Sequence, residues 1–259
     1  MNIVCLDMEG VLVPEIWIAF AEASGIPELR RTTRDEPDYD KLMRYRIAIL
    51  KEHGLKLQQI QETIAKIDPM PGAKEFLDAL RSETQVMILS DTFEQFAMPL
   101  MKKLGYPTLL CNTLEVAPDG EILGHKMRCE KSKLTTVRAL QSIGYETIAS
   151  GDSFNDLGMI QASKAGFLFR TTEQIKKDYP QYPAYETFDD LLAAIEKALG
   201  KGKHKVKLCI PYSDGAVLDM LHREAQIDST DYAAEGTIVE AVVDDKTYGR
   251  VSTYIMGNE

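Results

Sequence analysis

The run Ile3-Val4-Cys5-Leu6, closed at once by Asp7-Met8-Glu9-Gly10, constrains this chain more than any other stretch. A short apolar run bounded by a turn signal reads as a buried strand. A buried parallel strand delivers Asp7 and Glu9 to the carboxyl edge of its sheet, where open α/β sheets bind their ligands. Unpaired buried charge is costly. Two carboxylates at that edge therefore point to a bound cation, or to a reacting phosphate beside one.

The rest of the chain supports a sheet of this kind. Strand-like runs recur at Gln85 to Leu89, Thr108 to Cys111, Glu146 to Ala149 and Ala165 to Phe169. Helical stretches lie between them: Ala73 to Leu80, a helix ending at Leu104-Gly105, Ser132 to Ile143 closed by Gly144, and one running to about Ser163. Phe188 to Leu199 is a further helix, capped by Thr187 with Asp190 three residues on. Leu114 to Met127 carries Pro118-Asp119-Gly120 between apolar residues and reads as a hairpin. Strands alternating with helices at this pitch predict a doubly wound, mostly parallel α/β sheet of the Rossmann-like kind. Between the first two strands stand three helices with no strand among them: Ile16 to Ala23, Asp38 to His53 ending at Gly54, and Leu57 to Ile67, with a loop over Asp35 to Tyr39 that carries Pro37. They predict a small helical cap, residues 14–68, inserted into a core of residues 1–13 and 69–199.

At Gly200 the composition changes, and residues 200–205 read as a Gly/Lys-rich linker. Residues 206–259 read as a small β-α-β-β appendage, with strands Val206 to Ile210, Thr237 to Val243 and Arg250 to Ile255 and a helix Asp214 to Glu224. The chain's 259 residues allow one or two domains. The net charge of −10 argues against general nucleic-acid affinity. Four cysteines without CxxC spacing give no zinc or redox motif and read as free thiols in a reducing cytoplasm. No basic region followed by a long apolar stretch marks a signal peptide, and no run approaches the length of a membrane span.

Chemistry-bearing residues gather at the strand exits: Asp7 and Glu9, then Ser90, Asp91 and Thr92, then Lys131 and Lys133 at a helix start, then Asp152, Asn155 and Asp156. Any one of these acids alone reads as a turn former or helix cap. Their convergence on one sheet edge does not. The stretches DMEGV, LSDT, the following lysine and GDSFND resemble the four motifs of the haloacid dehalogenase superfamily of aspartyl phosphotransferases. The helical insertion matches the cap position of its phosphoserine phosphatase branch. DMEGVLVPEIW, with Glu9 where that branch usually has aspartate, looks like the subgroup that also passes phosphate to homoserine, called ThrH-type.

The resemblance, which covers about residues 1–199, implies a Mg²⁺-dependent enzyme acting on phosphoserine, with water or homoserine as acceptor. Asp7 would be the nucleophile and Glu9 the general acid and base. Asp7, Asp152 and the Glu9 backbone carbonyl would hold Mg²⁺. Ser90 and the backbone of Asp91 and Thr92 would bind phosphate oxygens. Lys133 would neutralise developing charge; Lys131 is its rival, but Lys133 keeps the better spacing to Thr136-Val137. Asp156 would orient the lysine or a metal-bound water, and Asn155 would face substrate. Arg46 would clamp the substrate carboxylate and Glu15 would pair its ammonium. Trp17, Phe20, Met98 and Met101 read as core. Another small phosphate monoester is the alternative substrate. Ile210-Pro211-Tyr212, Val217 to His222 and Tyr232 to Thr237 resemble the C-terminal domain of HflX-type ribosome-associated GTPases, which implies at most a docking module in a regulatory binding protein. The lysines from Lys201 to Lys207 would then touch RNA or the ribosome. A packing or homodimerisation appendage is the plainer reading.

Overall fold

The computed structural model describes residues 1–32, 35–36, 38–200 and 203–256. Pro37 of the expected loop and Lys201 and Gly202 of the expected linker lie outside them. The chain divides into two compact units, Met1–Leu191 and Leu192–Glu259.

The first unit begins with β1 (Asn2–Leu6), followed by α1 (Ile16–Ser24), α2 (Tyr39–Glu52), α3 (Leu57–Ile64) and α4 (Ala73–Glu83). Then come β2 (Gln85–Phe93), α5 (Glu94–Lys103), β3 (Thr108–Val116), β4 (Ile122–Lys126), α6 (Ser132–Ser142) and β5 (Glu146–Gly151). The unit continues through α7 (Leu157–Ala162), β6 (Ala165–Phe169), α8 (Glu173–Asp178), β7 (Ala184–Tyr185) and the start of α9 (Phe188–Ala198). Seven strands form one sheet in the order β4-β3-β2-β1-β5-β6-β7. Only β4, antiparallel to β3, departs from parallel pairing. The expected strand and hairpin over Thr108 to Met127 are one continuous pair, because β3 runs from Thr108 to Val116.

β1 sits centrally, paired with β2 on one side and β5 on the other. Its residues Val4, Cys5 and Leu6 have no exposure, and Cys5 joins Leu89, Val137, Ala149 and Leu168 in one apolar cluster. The chain builds outward from β1 through β2 to β4, then crosses back to start β5 on the opposite flank. The direction of winding thus reverses between β1 and β5, and such a switch point opens a crevice at the carboxyl ends of the strands.

The helices inserted after β1 are held by the hairpin. Leu57 N–H donates to the Gly120 carbonyl at 2.8 Å. Lys51 pairs with Glu121 and Lys56 with Asp119, each at 2.7 Å. α2 starts where Asp38 accepts from Lys41 N–H at 3.1 Å, a side-chain N-cap. α1 ends at Gly25, whose φ of 72° is a left-handed value that glycine adopts without strain.

The second unit contains β8 (Lys203–Ile210), α10 (Gly215–Glu224), β9 (Gln226–Ala233), β10 (Gly236–Asp244) and α11 (Asp245–Val251). Its three strands form an antiparallel sheet in the order β8-β10-β9. Val206, Leu208, Ile210, Val239, Ala241 and Val243 pack with Met220, Leu221 and Val251. Two expectations are corrected here. Arg250 to Tyr254 is helical, not a strand, and only Ile255 makes a single antiparallel bridge, to Leu208: the Asp244 carboxylate accepts from Thr247 N–H at 2.7 Å, and Val251 then faces the core. The third strand is instead β9, whose polar residues stand exposed at the sheet edge. The linker is also shorter than expected, since β8 takes up Lys203 to Lys205. Among the described residues, no helix is long and apolar enough to cross a membrane. All four cysteines are free.

Candidate active site

The switch point gathers the acids. Asp7 follows β1 directly and its N–H donates to the Ser150 carbonyl at 3.0 Å, which extends the β1–β5 ladder by one residue. Its carboxylate is buried and accepts from Met8 N–H at 2.7 Å. Asp156 is fully buried beyond β5, where its Oδ2 accepts from the N–H groups of Asp152 and Ser153, each at 3.0 Å. Carboxylate oxygens of Asp7, Asp152 and Asp156 lie within 4.8 Å of one another. Gly10, with φ of 77°, lets the backbone pass close to Asp152. A Cβ there would stand 2.4 Å from Asp152 Oδ2.

A single cation is buried among these acids. Lys133 Nζ lies 2.8 Å from Asp7 Oδ1 and 2.6 Å from Asp156 Oδ1, and its side chain is 3% exposed. Lys131 is exposed and supplies only the left-handed residue, φ 48°, before α6. Burial pulls the Lys133 ammonium down, but Asp156, Asp7 and Asp91 outweigh it and its pKa is raised. Asp7 is nevertheless held well above the usual carboxylate range, by burial first and the charge of Asp156 second, against the pull of Lys133. Burial and Asp156 push Asp152 up to about 7. One ammonium cannot neutralise three crowded carboxylates, which is why Lys133 does not hold Asp7 and Asp152 in the ordinary carboxylate range. An all-oxygen, multiply anionic donor set fits a hard divalent cation, Mg²⁺ included.

The Glu9 carboxylate is turned to another task. Its Oε2 accepts from Ile16 N–H at 2.9 Å, at the start of α1, where a helix N-terminus favours negative charge. Burial still raises its pKa, against the hydrogen bonds from Ile16 and Thr92. Of the expected metal set Asp7, Glu9 and Asp152, the side-chain cluster thus contains the two aspartates and adds Asp156; Glu9 has only its backbone carbonyl to offer.

The second strand end provides Ser90 and Thr92, both buried, with Thr92 N–H donating to Ser90 Oγ at 3.2 Å. The backbone of Asp91 is the part expected to meet phosphate; its carboxylate is occupied within the protein. Oδ1 accepts from Ser132 Oγ at 2.9 Å and Oδ2 from Asn155 Nδ2 at 2.8 Å. Asn155 itself is exposed at the crevice.

Above the strand ends, α2 presents Arg46. Its guanidinium is buried, lies 4.5 Å over the Trp17 ring and donates from Nη2 to the Arg31 carbonyl at 2.7 Å. Nε has no hydrogen-bond partner. Burial lowers the pKa to about 10, while Tyr39, Glu9 and Glu15 support the charge. Glu15 is exposed at the N-cap of α1 and makes no capping hydrogen bond. Two neighbours were missed in the sequence. Tyr39 lies seven residues before Arg46 on the same helical face, a signal that was available. Trp17 was read as core; it is buried, but it also forms the floor under Arg46. Phe20 and Met101 are buried as expected, whereas Met98 is 46% exposed.

The chain is similar to known proteins. Residues 1–164 match the family described as haloacid dehalogenase-like hydrolase. Phosphoserine phosphatase ThrH of Pseudomonas aeruginosa is 52% identical over 198 residues, covering 76% of this chain and 97% of that protein. A phosphoserine phosphatase of Pseudomonas syringae pv. tomato is 50% identical, covering 76% of this chain and 84% of its own length. The fold resembles a substrate-bound phosphoserine phosphatase structure with a TM-score of 0.61 at 20% identity, over 75% of this chain and 97% of that one. On its sheet, its clustered aspartates with their buried lysine, and these matches, the chain belongs to the haloacid dehalogenase-like hydrolases.

Proposed function

We propose that this hydrolase removes the phosphate of phosphoserine with Mg²⁺ as cofactor, through an aspartyl phosphate on Asp7, and that homoserine competes with water as the acceptor. The observation that carries the substrate is Arg46. A buried guanidinium with an unpartnered Nε, within the field of Glu9, is a costly arrangement that a substrate carboxylate would relieve. The names of the two Pseudomonas relatives support the same substrate.

In this reading the inserted helices act as a cap, and Arg46 and Glu15 grip the carboxylate and ammonium of the amino acid. Ser90 and the N–H groups after it hold phosphoryl oxygens. Asp7 forms a bond to phosphorus as the bond to the serine oxygen breaks. Glu9, whose raised pKa lets it carry a proton, protonates the leaving oxygen. It then takes a proton from the water or homoserine hydroxyl that attacks the aspartyl phosphate, and Asp7 is released. Lys133 offsets charge on the phosphoryl group while Asp156 fixes its position. Mg²⁺, held by Asp7, Asp152 and the Glu9 carbonyl, would supply positive charge that keeps Asp7 ionised and screens the phosphate.

Four free thiols support a reducing, cytoplasmic site of action. The second unit enters the reading as a packing or homodimerisation appendage. Lys205 and Lys207 pair with Asp228 and Glu240 at 3.3 and 3.0 Å, which weakens the case for an RNA-binding lysine run.

The test is phosphate release from phosphoserine with Mg²⁺, with and without homoserine. Release that falls as phosphohomoserine appears supports transfer. Release indifferent to homoserine leaves a phosphatase. No release, with turnover of another phosphate monoester, would replace the substrate.

A further inference from the structure

Three segments meet at one side chain that does not belong to any of the roles above. Asp91 lies on β2 between the two phosphate-facing residues Ser90 and Thr92. Its carboxylate reaches away from them and joins the two other segments that build the site. Oδ1 receives the hydroxyl hydrogen of Ser132, the residue immediately before Lys133 on α6. Oδ2 receives an amide hydrogen of Asn155, in the loop after β5 that also carries Asp152 and Asp156. The backbone carbonyl of Asp91 is fastened as well, by Asn112 Nδ2 of β3 at 2.9 Å. Asn112 is buried, and its Oδ1 accepts from Arg128 N–H at 2.9 Å. Arg128 Nη2 returns to α6, donating to Thr136 Oγ1 at 2.7 Å. The network therefore closes on itself: β2, β3, the start of α6 and the loop after β5 are pinned to one another through Asp91.

The chemistry of the pairing is specific. A carboxylate accepts on both oxygens, and here it meets two donors from two different segments. An asparagine would keep one acceptor and turn an NH₂ toward the other donor. A glycine or alanine would leave both donors without this partner. The negative charge of Asp91 also reaches Lys133, where it adds to those of Asp156 and Asp7.

We propose that Asp91 is a positioning residue for phosphoryl transfer: through Ser132 it sets the start of α6, and with it Lys133, against Asp7, and through Asn155 it sets the substrate-facing side of the loop after β5. The proposal rests on the reading of Asp7 as nucleophile and Lys133 as its charge partner. The Asp91 carboxylate, held by Ser132 and Asn155, touches neither the phosphoryl group nor the leaving group. Its loss therefore lowers the rate of the chemical step and leaves the grip of Arg46 on the amino acid intact.

The experiment compares the wild type, Asp91→Asn, Asp91→Ala, Ser132→Ala and the Asp91→Asn/Ser132→Ala double variant. Each is assayed in the full chain on phosphoserine and on p-nitrophenyl phosphate, with saturating Mg²⁺, and each is checked for thermal midpoint. Asp91→Asn is expected to lower kcat about 10- to 100-fold on both substrates, with KM for phosphoserine within about threefold. Asp91→Ala is expected to fall further, because Asn retains one acceptor. Ser132→Ala is expected to cost less than Asp91→Asn, and the double variant to lie within about threefold of Asp91→Asn rather than at the product of the two losses. Three results would overturn the proposal: an Asp91→Asn enzyme with wild-type kcat, multiplicative losses in the double variant, or a rise in KM that accounts for the whole effect. Wild type active only on p-nitrophenyl phosphate would remove phosphoserine as substrate while the Asp91 comparison still decides the proposal. Wild type inactive on both would overturn the phosphoryl-transfer reading and the proposal together.

Discussion

Replacing Lys133 with methionine tests the electrostatics of the site without any assumption about substrate. The side chain is 3% exposed and its ammonium is shared by Asp7 at 2.8 Å and Asp156 at 2.6 Å. Methionine keeps most of the volume and removes the charge, so three carboxylates with oxygens within 4.8 Å of each other lose the lysine that sits among them. Removing one partner of a buried ion pair costs about 3–5 kcal/mol. In a unit the size of Met1–Leu191, each kcal/mol shifts the midpoint by about 2–4 °C, so the expected loss is about 6–20 °C. The pH dependence has a definite sign. Asp7 and Asp152 have raised folded-state pKa values, Asp152 about 7. Between the ordinary aspartate range and about pH 7 the folded state holds protons that the unfolded state has released, and stability falls as pH rises through that window. Without Lys133 the carboxyls shift further up, so the gap between variant and wild type widens from pH 5.5 to pH 8. Circular dichroism melts in EDTA at the two pH values measure it. A midpoint within 2 °C of wild type at pH 8, or a larger gap at pH 5.5 than at pH 8, would refute the argument.

Other expectations follow from the same geometry. Arg46→Ala is expected to lower kcat/KM for phosphoserine about 10- to 150-fold, the worth of a charge-assisted contact of about 1.5–3 kcal/mol, and to spare p-nitrophenyl phosphate; equal losses on both would remove Arg46 as the carboxylate clamp. The half-saturating Mg²⁺ concentration is expected to fall about tenfold from pH 6 to pH 8, since Asp152, pushed up to about 7, must lose its proton to bind the ion; titration calorimetry of the protein with Mg²⁺ alone would show whether proton release accompanies binding. Gly10→Ala forces a Cβ to within 2.4 Å of Asp152 Oδ2 at a left-handed φ and is expected to cost about 1–2 kcal/mol in the metal-free melt, with weakened Mg²⁺ binding; an unchanged midpoint would show that the loop yields freely. Asp7→Asn is expected to abolish turnover with a native far-ultraviolet spectrum, and wild-type-like phosphate release would end the aspartyl-phosphate mechanism.

The legible parts of this chain were those where local sequence and final burial agree. Ile3 to Leu6 is apolar because it is central in a parallel sheet, and no other element type suits so short a run with a turn on its end. The unread parts were those where they diverge. β9, Gln226–Ala233, alternates little and carries aspartates because it lies on a sheet edge open to water, so its strand character comes from pairing with β10 and not from its own pattern. Val251 and Tyr254 suit either period, and the Asp244 cap decided for helix. Lys205 looked like part of a linker because it is exposed on an edge strand.

By itself the sequence determined which residue types stand at each strand exit, and hence that acids, hydroxyls and a lysine meet at one edge of an α/β sheet. It did so because strand length, helix period and turn chemistry are local properties. Only the tertiary structure decided among chemically identical candidates. Lys133 is the buried cation and Lys131 the exposed helix start, because two positions on a helix differ by a large rotation about its axis. Asp156 joins Asp7 and Asp152 while Glu9 caps α1, and Asp91 ties three segments together. These assignments depend on where separate elements cross in space, which the winding of the chain around β1 sets and no single segment encodes.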